Sequence, residues 1–193
     1  MASGNLGKLR EISSLLKGLG IELVAKSELG VEDADETGTT FRENSLLKAR
    51  HAAVTTGLPA IADDSGLLVN ALDGAPGVYS ARYAGPDATD DKNITKLLAA
   101  LEGTSQPHRG ATFHCVASFV LPDGSPPLFA EGEWRGSILT ARQGDGGFGY
   151  DPVFFDPESG CSAAELTAAE KSARSHRGKA LRQLIALIER HYS

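Results

Sequence analysis

Two adjacent carboxylates, Asp63 and Asp64, follow the apolar triplet Ala60-Ile61-Ala62. Side-by-side acids repel unless a cation or hydrogen-bond donors compensate them, so the pair points to a ligand or a metal. The other reading is an Asx turn before Gly66, with both side chains holding backbone amides. Neighbours in extended chain face opposite sides, so the two acids are expected to do different work, with one of them turned toward a ligand. The hexapeptide Ser3-Gly4-Asn5-Leu6-Gly7-Lys8 precedes a helical pattern. Backbone amides, a helix N-terminus and a lysine would converge there, which suits a phosphate. It is not a Walker A loop, and a Ser or Asn cap beside a solvated lysine explains the same residues.

Further along, Glu36 is either a solvated acid or an oxygen ligand for a hard cation such as Mg²⁺. Thr40 and Glu43 match a capping box and place a helix start immediately after it. Asn44 and Lys48, one turn apart, share a side of that helix, and Lys48 reads as a surface lysine. The stretch Gly144 to Pro152 holds four glycines and two aromatics in nine residues. Glycines allow close backbone approach, and Phe148 offers a flat face for a nucleobase; a tight turn with Phe148 and Tyr150 in the core is the plainer reading of these residues alone. Ser175-His176-Arg177-Gly178 lies between helical patterns, where His176 and Arg177 would either donate to a carbonyl or phosphate or cap a helix end. His114 and Cys115 read as packed core, and Trp134 as core or interface.

These residues need elements to hold them. Leu9, Ile12, Leu16 and Leu19 predict a helix over 6–19, ending at Gly18 or Gly20. Ile21 to Ala25 predicts a strand, followed by an acidic loop over Glu32 to Glu36. A second helix is predicted from Phe41 to about Thr56, with Leu46, Ala49 and Ala53 on one face and Gly57 and Pro59 as its stop. Ala60 to Val69 reads as two short buried strands, or one strand bent about Gly66, with the carboxylates at the bend. Ile94, Leu97, Leu98 and Leu101 predict a helix behind a Thr89 or Asp90 cap. Ala111 to Leu121 and Leu128 to Leu139 predict a long hairpin across the turn Pro122-Asp123-Gly124-Ser125-Pro126. Helical periodicity returns from Glu165 to Ala173 and again through Leu181, Leu184, Ile185 and Ile188. Strands and helices intermingle, so the fold class is α/β around one twisted sheet, in a single domain over 1–193.

The 193 residues are 41% hydrophobic and 23% charged, which suits one globular domain with a sizeable core. Nineteen Lys and Arg against 25 Asp and Glu leave a net charge of −6, and such a field repels nucleic-acid backbones. Two cysteines, without a C-x-x-C spacing, fit neither a disulfide scaffold nor a zinc site and suggest a cytoplasmic setting. No apolar run approaches the roughly 20 residues that span a bilayer.

In this order, six segments resemble the inosine triphosphate pyrophosphatase family, most nearly its bacterial form. They are S-G-N-L-G-K at 3–8, E-T-G-T-T-F-R-E-N at 36–44, A-D-D-S-G-L at 62–67, G-A-P-G-V-Y-S-A-R-Y-A-G at 74–85, G-G-F-G-Y-D-P-V-F at 146–154 and E-K-S-A-R-S-H-R at 170–177. The resemblance implies an elongated α/β fold with a central mixed sheet flanked by helices, a homodimer, and Mg²⁺. It implies cleavage of dITP, ITP or XTP to the monophosphate and pyrophosphate. Matched residue by residue, it makes Asp64 the general base and a metal ligand, Glu36 a second metal ligand, and Ser65 a substrate contact. The loop of Ser3, Gly4, Asn5, Leu6, Gly7 and Lys8, with Lys171, would hold the phosphates. Phe148, Gly149, Tyr150, Asp151, His176 and Arg177 would surround the base, with Arg177 and His176 donating to a 6-oxo group and so favouring ITP over ATP. The family sets an apolar strand ahead of the first loop, and only Met1 and Ala2 stand there; apolar residues upstream of Met1 are expected to raise thermal stability. Two other readings stay open, a nucleotide-binding module without turnover and a pyrophosphatase of related fold acting on other modified nucleotides.

Overall fold

The computed structural model describes residues 22–192. The helix expected over 6–19, the Ser3–Lys8 loop and the apolar strand ahead of it lie outside the described residues. Of the strand expected over Ile21 to Ala25, the described part is irregular chain leading into a 3-10 turn at Lys26–Leu29. The reason is local: the Ala25 carbonyl accepts from Glu28 N at 3.1 Å, and Ala25 N donates to Glu28 Oε1 at 3.4 Å. Backbone groups bonded within a turn are unavailable to a strand ladder.

Helix α1 spans Phe41–Thr56 as the apolar spacing predicts. Thr40 Oγ1 accepts from Glu43 N at 3.1 Å, and Glu43 Oε2 accepts from Thr40 N at 3.1 Å, so the capping box is complete. Thr40→Ala is expected to cost about 1 kcal/mol and, for a chain of this size, about 2–4 °C in Tm, measured by thermal unfolding. Strand β1, Ala60–Val69, is continuous. One strand rather than two short ones is thus found, and Asp63 and Asp64 lie within it rather than in a turn at its end. Asp63 accepts from Arg177, and Asp64 from Lys48 and Asn44, all side chains of other elements.

Helix α2, Asp90–Ala100, starts behind the Thr89 cap, whose Oγ1 accepts from Lys92 N at 3.2 Å. Strands β2, Gly110–Val120, and β3, Leu128–Ile138, flank the predicted Pro/Gly turn. Two short strands follow, β4 at Phe154–Asp156 and β5 at Cys161–Ser162. Helix α3, Ala168–Arg174, begins later than the periodicity suggests because Thr167 and Glu170 form a second capping box. Helix α4 runs over His176–Tyr192. The sheet order is β1-β2-β3-β4-β5. β3 pairs with β4 antiparallel, Ser137 opposite Phe155, and β4 pairs with β5 antiparallel, Asp156 opposite Cys161.

The chain divides into two compact units, and β1, β2 and β3 each contribute residues to both. The first holds the described residues up to Asp64, Cys115–Gly132 and the chain from His176 on. In it Leu181, Leu184, Ile185 and Ile188 of α4, at i, i+3, i+4 and i+7, cover Ile61, Ala117 and Phe119. Ala49, Ala52 and Ala53 of α1 pack on Ala60, Ala62 and Val120. These small side chains let α1 lie close to the strands, and Ser118 Oγ on β2 donates to Ser45 O at 2.9 Å.

The second unit holds Ser65–His114 and Glu133–Ser175. Its core combines Leu67 and Val69 with Ile94 and Leu97 of α2 and Leu101 at its C-cap. Phe154 stacks at a tilt against Phe113 and Trp134, with centroids 4.6 and 5.1 Å away. Trp134 is therefore core, the first of the two places expected for it. Among the described residues no helix is long and apolar enough to cross a membrane.

Candidate active site

In the first unit, the alternation of β1 separates the two carboxylates as anticipated. Asp63 is buried, and its Oδ2 accepts from Arg177 Nε of α4 at 3.0 Å and faces Cys115 Sγ at 3.9 Å. Asp64 is turned toward α1. Its Oδ1 accepts from Lys48 Nζ at 2.8 Å, and its Oδ2 accepts from Asn44 Nδ2 at 3.3 Å. The Lys48 ammonium also donates to Glu36 Oε1 at 3.1 Å, so one cation bridges the two carboxylates.

Two features fix this arrangement. Asn44 and Lys48 stand at i and i+4, hence on one face of α1. Asn44 is fully buried and also accepts Gly38 N on its Oδ1 at 2.8 Å, which ties the loop carrying Glu36 to the helix that meets Asp64. Gly38 allows that approach, because a Cβ there would stand 2.6 Å from both Asn44 Oδ1 and the Glu43 Cβ.

Burial raises the Asp64 carboxyl above the usual aspartate range; Lys48 opposes this and Glu36 adds to it. Burial also works against the charge on Lys48, but Asp64 and Glu36 outweigh it and hold the ammonium above its ordinary pKa. Sequence reasoning took Lys48 for a surface residue. The signal that could have found it was its position one turn beyond Asn44, on the side of α1 that the Thr40 cap aims at the Glu36 loop.

Glu36 and Asp64 offer hard oxygen ligands. Mg²⁺ is typically held by one or two carboxylates together with water and phosphate oxygens, so this donor set fits it. Among the described residues no group of three or more His, Cys, Asp or Glu gathers.

In the second unit, the glycine-rich stretch is organised around Asp151, whose side chain is 4% exposed. Its Oδ2 accepts from Phe148 N at 2.7 Å and forms an ion pair with Lys171 of α3. Gly147 takes φ +75°, and a Cβ there would run into the Asp151 carboxylate, so glycine is required on both counts. Gly149 N donates to Asp90 Oδ2 at 2.6 Å, which fastens the loop to the start of α2.

The two aromatics part company. Phe148 is 50% exposed, with the Lys171 ammonium 4.3 Å from its ring centroid. Tyr150 is buried, donates its hydroxyl to Ser80 O at 2.8 Å, and has its pKa raised mainly by burial. Tyr150 is thus placed as core and Phe148 as the presented ring. Ser65 is half-buried in β1, whereas His176 and Arg177 are buried in the first turn of α4.

The model of the Ham1 family matches residues 1–187. The chain belongs to the Ham1 family. The solved structure of a Ham1 protein from Coxiella burnetii is 49% identical, with a TM-score of 0.91 over 97% of this chain and 96% of that one. The Ham1 protein of Staphylococcus aureus is 40% identical, with a TM-score of 0.90 over 98% and 97%. A Shigella flexneri protein named dITP/XTP pyrophosphatase is 58% identical over 186 residues, 96% of this chain and 94% of its own length. The α/β fold is therefore that of Ham1 proteins, as the sequence resemblance implied.

Proposed function

We propose that this Ham1-family chain hydrolyses non-standard purine nucleoside triphosphates (dITP, ITP and XTP) to the monophosphate and pyrophosphate, as a Mg²⁺-dependent cytoplasmic homodimer. The observation that carries the reading is Asp64, a half-buried carboxylate held by Lys48 and Asn44 beside Glu36. It stands in a chain whose near relatives bear the name dITP/XTP pyrophosphatase.

Asp64 is the general base, its carboxylate accepting a proton from the attacking water. Asn44 and Lys48 fix the direction of its two oxygens, so its lone pairs need no reorientation as the proton arrives. Glu36 and Asp64 would hold Mg²⁺. When bound, the ion supplies charge neutralisation of the triphosphate and Lewis-acid polarisation of a phosphoryl oxygen. On the strength of the family motif, the Ser3–Lys8 loop and Lys171 are assigned to the phosphates, Ser65 to a substrate contact, and Phe148, Gly149, Tyr150, Asp151, His176 and Arg177 to the base, with Phe148 stacking on it. The Lys171 ammonium also lies over the Phe148 ring, 4.3 Å from its centroid, where it can meet the base as well.

Pyrophosphate release from ITP, dITP, XTP, ATP and GTP, with Mg²⁺ and after chelation, tests the whole reading. Binding without turnover would favour a nucleotide-binding module instead, and turnover confined to modified pyrimidines would favour a different pyrophosphatase. Phe148→Ala is expected to raise KM for all purine substrates alike, by roughly 5-fold or more, because stacking contributes about 1–3 kcal/mol per base without choosing among bases.

A further inference from the structure

Resting on the pyrophosphatase reading, we propose that Lys171 makes the protein favour xanthine over hypoxanthine nucleotides, by holding a positive charge against the base that meets the anionic form of xanthine. The ammonium of Lys171 lies 4.3 Å from the centroid of the exposed Phe148 ring. It is not a wandering surface charge: its side chain is 19% exposed, and Asp151, 4% exposed, tethers it. The same Asp151 oxygen accepts Phe148 N at 2.7 Å, so ring and ammonium are two arms of one anchored unit.

A base stacked on the face that Lys171 covers displaces the ammonium only as far as its tether reaches, to the rim of the base. A base on the other face has the phenyl ring between it and the ammonium, which already stands 4.3 Å from the ring centroid, so there the charge acts at longer range. In the first pose a unit charge stands beside the base, in a partly desolvated setting where Coulomb interactions are stronger than in water.

Hypoxanthine is neutral through the physiological range. Xanthine nucleosides carry a second ring carbonyl and lose a ring proton on the acid side of neutrality, so their base is largely an anion at pH 7. A contact to an ionised group is roughly twice as strong as a neutral one, so the ammonium gains more from xanthine than from hypoxanthine.

The other charged groups around this contact are already engaged. Asp151 pairs with Lys171 itself, Asp90 accepts Gly149 N, and Arg174, on the next turn of α3, pairs with Asp156 and Glu158. Glu170, beside Lys171 in sequence, closes the Thr167 capping box. The negative charge of Asp151 offsets part of the effect, so the expected preference is about tenfold.

The test measures XMP and IMP dissociation constants by calorimetry, and kcat/KM for XTP and ITP, from pH 5 to pH 8 with Mg²⁺ present. The full chain is compared with Lys171→Met and Lys171→Arg. In the wild type the xanthine preference should rise about tenfold across this range; Lys171→Arg should keep that rise and Lys171→Met should flatten it. A wild-type preference that does not change with pH overturns the proposal, as does a Lys171→Met preference that rises like the wild type's. Should Lys171→Met fail to fold, the wild-type pH series and Lys171→Arg decide in the same way. If the wild type releases no pyrophosphate from either nucleotide, the proposed function fails, while the XMP-to-IMP binding ratio still reads the role of Lys171.

Discussion

Asp64→Asn should leave a folded protein that binds nucleotide but turns it over about 10²- to 10⁴-fold more slowly, the usual range for loss of a general base. The argument begins from geometry. Asn keeps the shape of the side chain and its one oxygen can still accept from Lys48, while its NH2 then faces Asn44 Nδ2, a donor, so one hydrogen bond is lost and β1 and α1 otherwise stay in place. What disappears is the carboxylate's charge, and with it both the proton acceptor and one of two anionic oxygens at the Lys48 bridge. Glu36 retains its own contact with Lys48 at 3.1 Å, so the ammonium does not become an orphaned charge. Stability should fall by about 1–2 kcal/mol, the usual cost of one hydrogen bond lost in a half-buried place. The effect should fall on kcat rather than on KM, because the lost interaction belongs to the transition state. Initial rates of pyrophosphate release, set beside a thermal melt, check both parts; a variant with near-normal kcat would remove Asp64 from its role.

Arg177→Ala should be among the most destabilising single substitutions in the first unit, at about 3–5 kcal/mol, because it removes one partner of a buried ion pair and leaves the other charge behind. Asp63 has a side chain only 1% exposed and Arg177 one only 10% exposed, and they meet at 3.0 Å. For a chain of this length the loss corresponds to roughly 6–20 °C in Tm. Replacing both partners by apolar residues, as in Asp63→Leu with Arg177→Met, should recover part of it, since a matched apolar pair leaves no uncompensated charge. Denaturant unfolding of the two single variants and the double variant measures the coupling. If Arg177→Ala melted within about 2 °C of the wild type, the pair would contribute little. The expectation that Arg177 reads the 6-oxo group then has to be tested at a temperature where the variant is folded. A fall in activity on ITP and ATP alike would reflect lost structure, and only a change in their ratio would reflect base recognition.

Local signals were legible in the sequence wherever residues close together in the chain settle the outcome. The Thr40 and Glu43 box started α1 where expected, because both hydrogen bonds close within three residues. The apolar spacing of Ile94, Leu97 and Leu101 marked α2, since periodicity states which face must be buried. The alternation of Asp63 and Asp64 followed from the pleat of an extended strand, whatever their partners. The six motifs, read together, sufficed to name the family.

Only the tertiary structure decided who those partners were. Arg177 reaches Asp63 across 114 residues, and Lys48 reaches Asp64 across 16. Neither separation leaves a trace in local pattern, so the sequence leaves the partners of the two carboxylates open and presents Lys48 as solvated. The same holds for Phe148 and Tyr150, two aromatics in one loop. Tyr150 was drawn into the core by a carbonyl from Ser80, and Phe148 was left exposed beneath the ammonium of Lys171. Side-chain type states which groups need a partner; a buried charge or hydroxyl must find one, and which one it finds depends on where packing brings distant segments together.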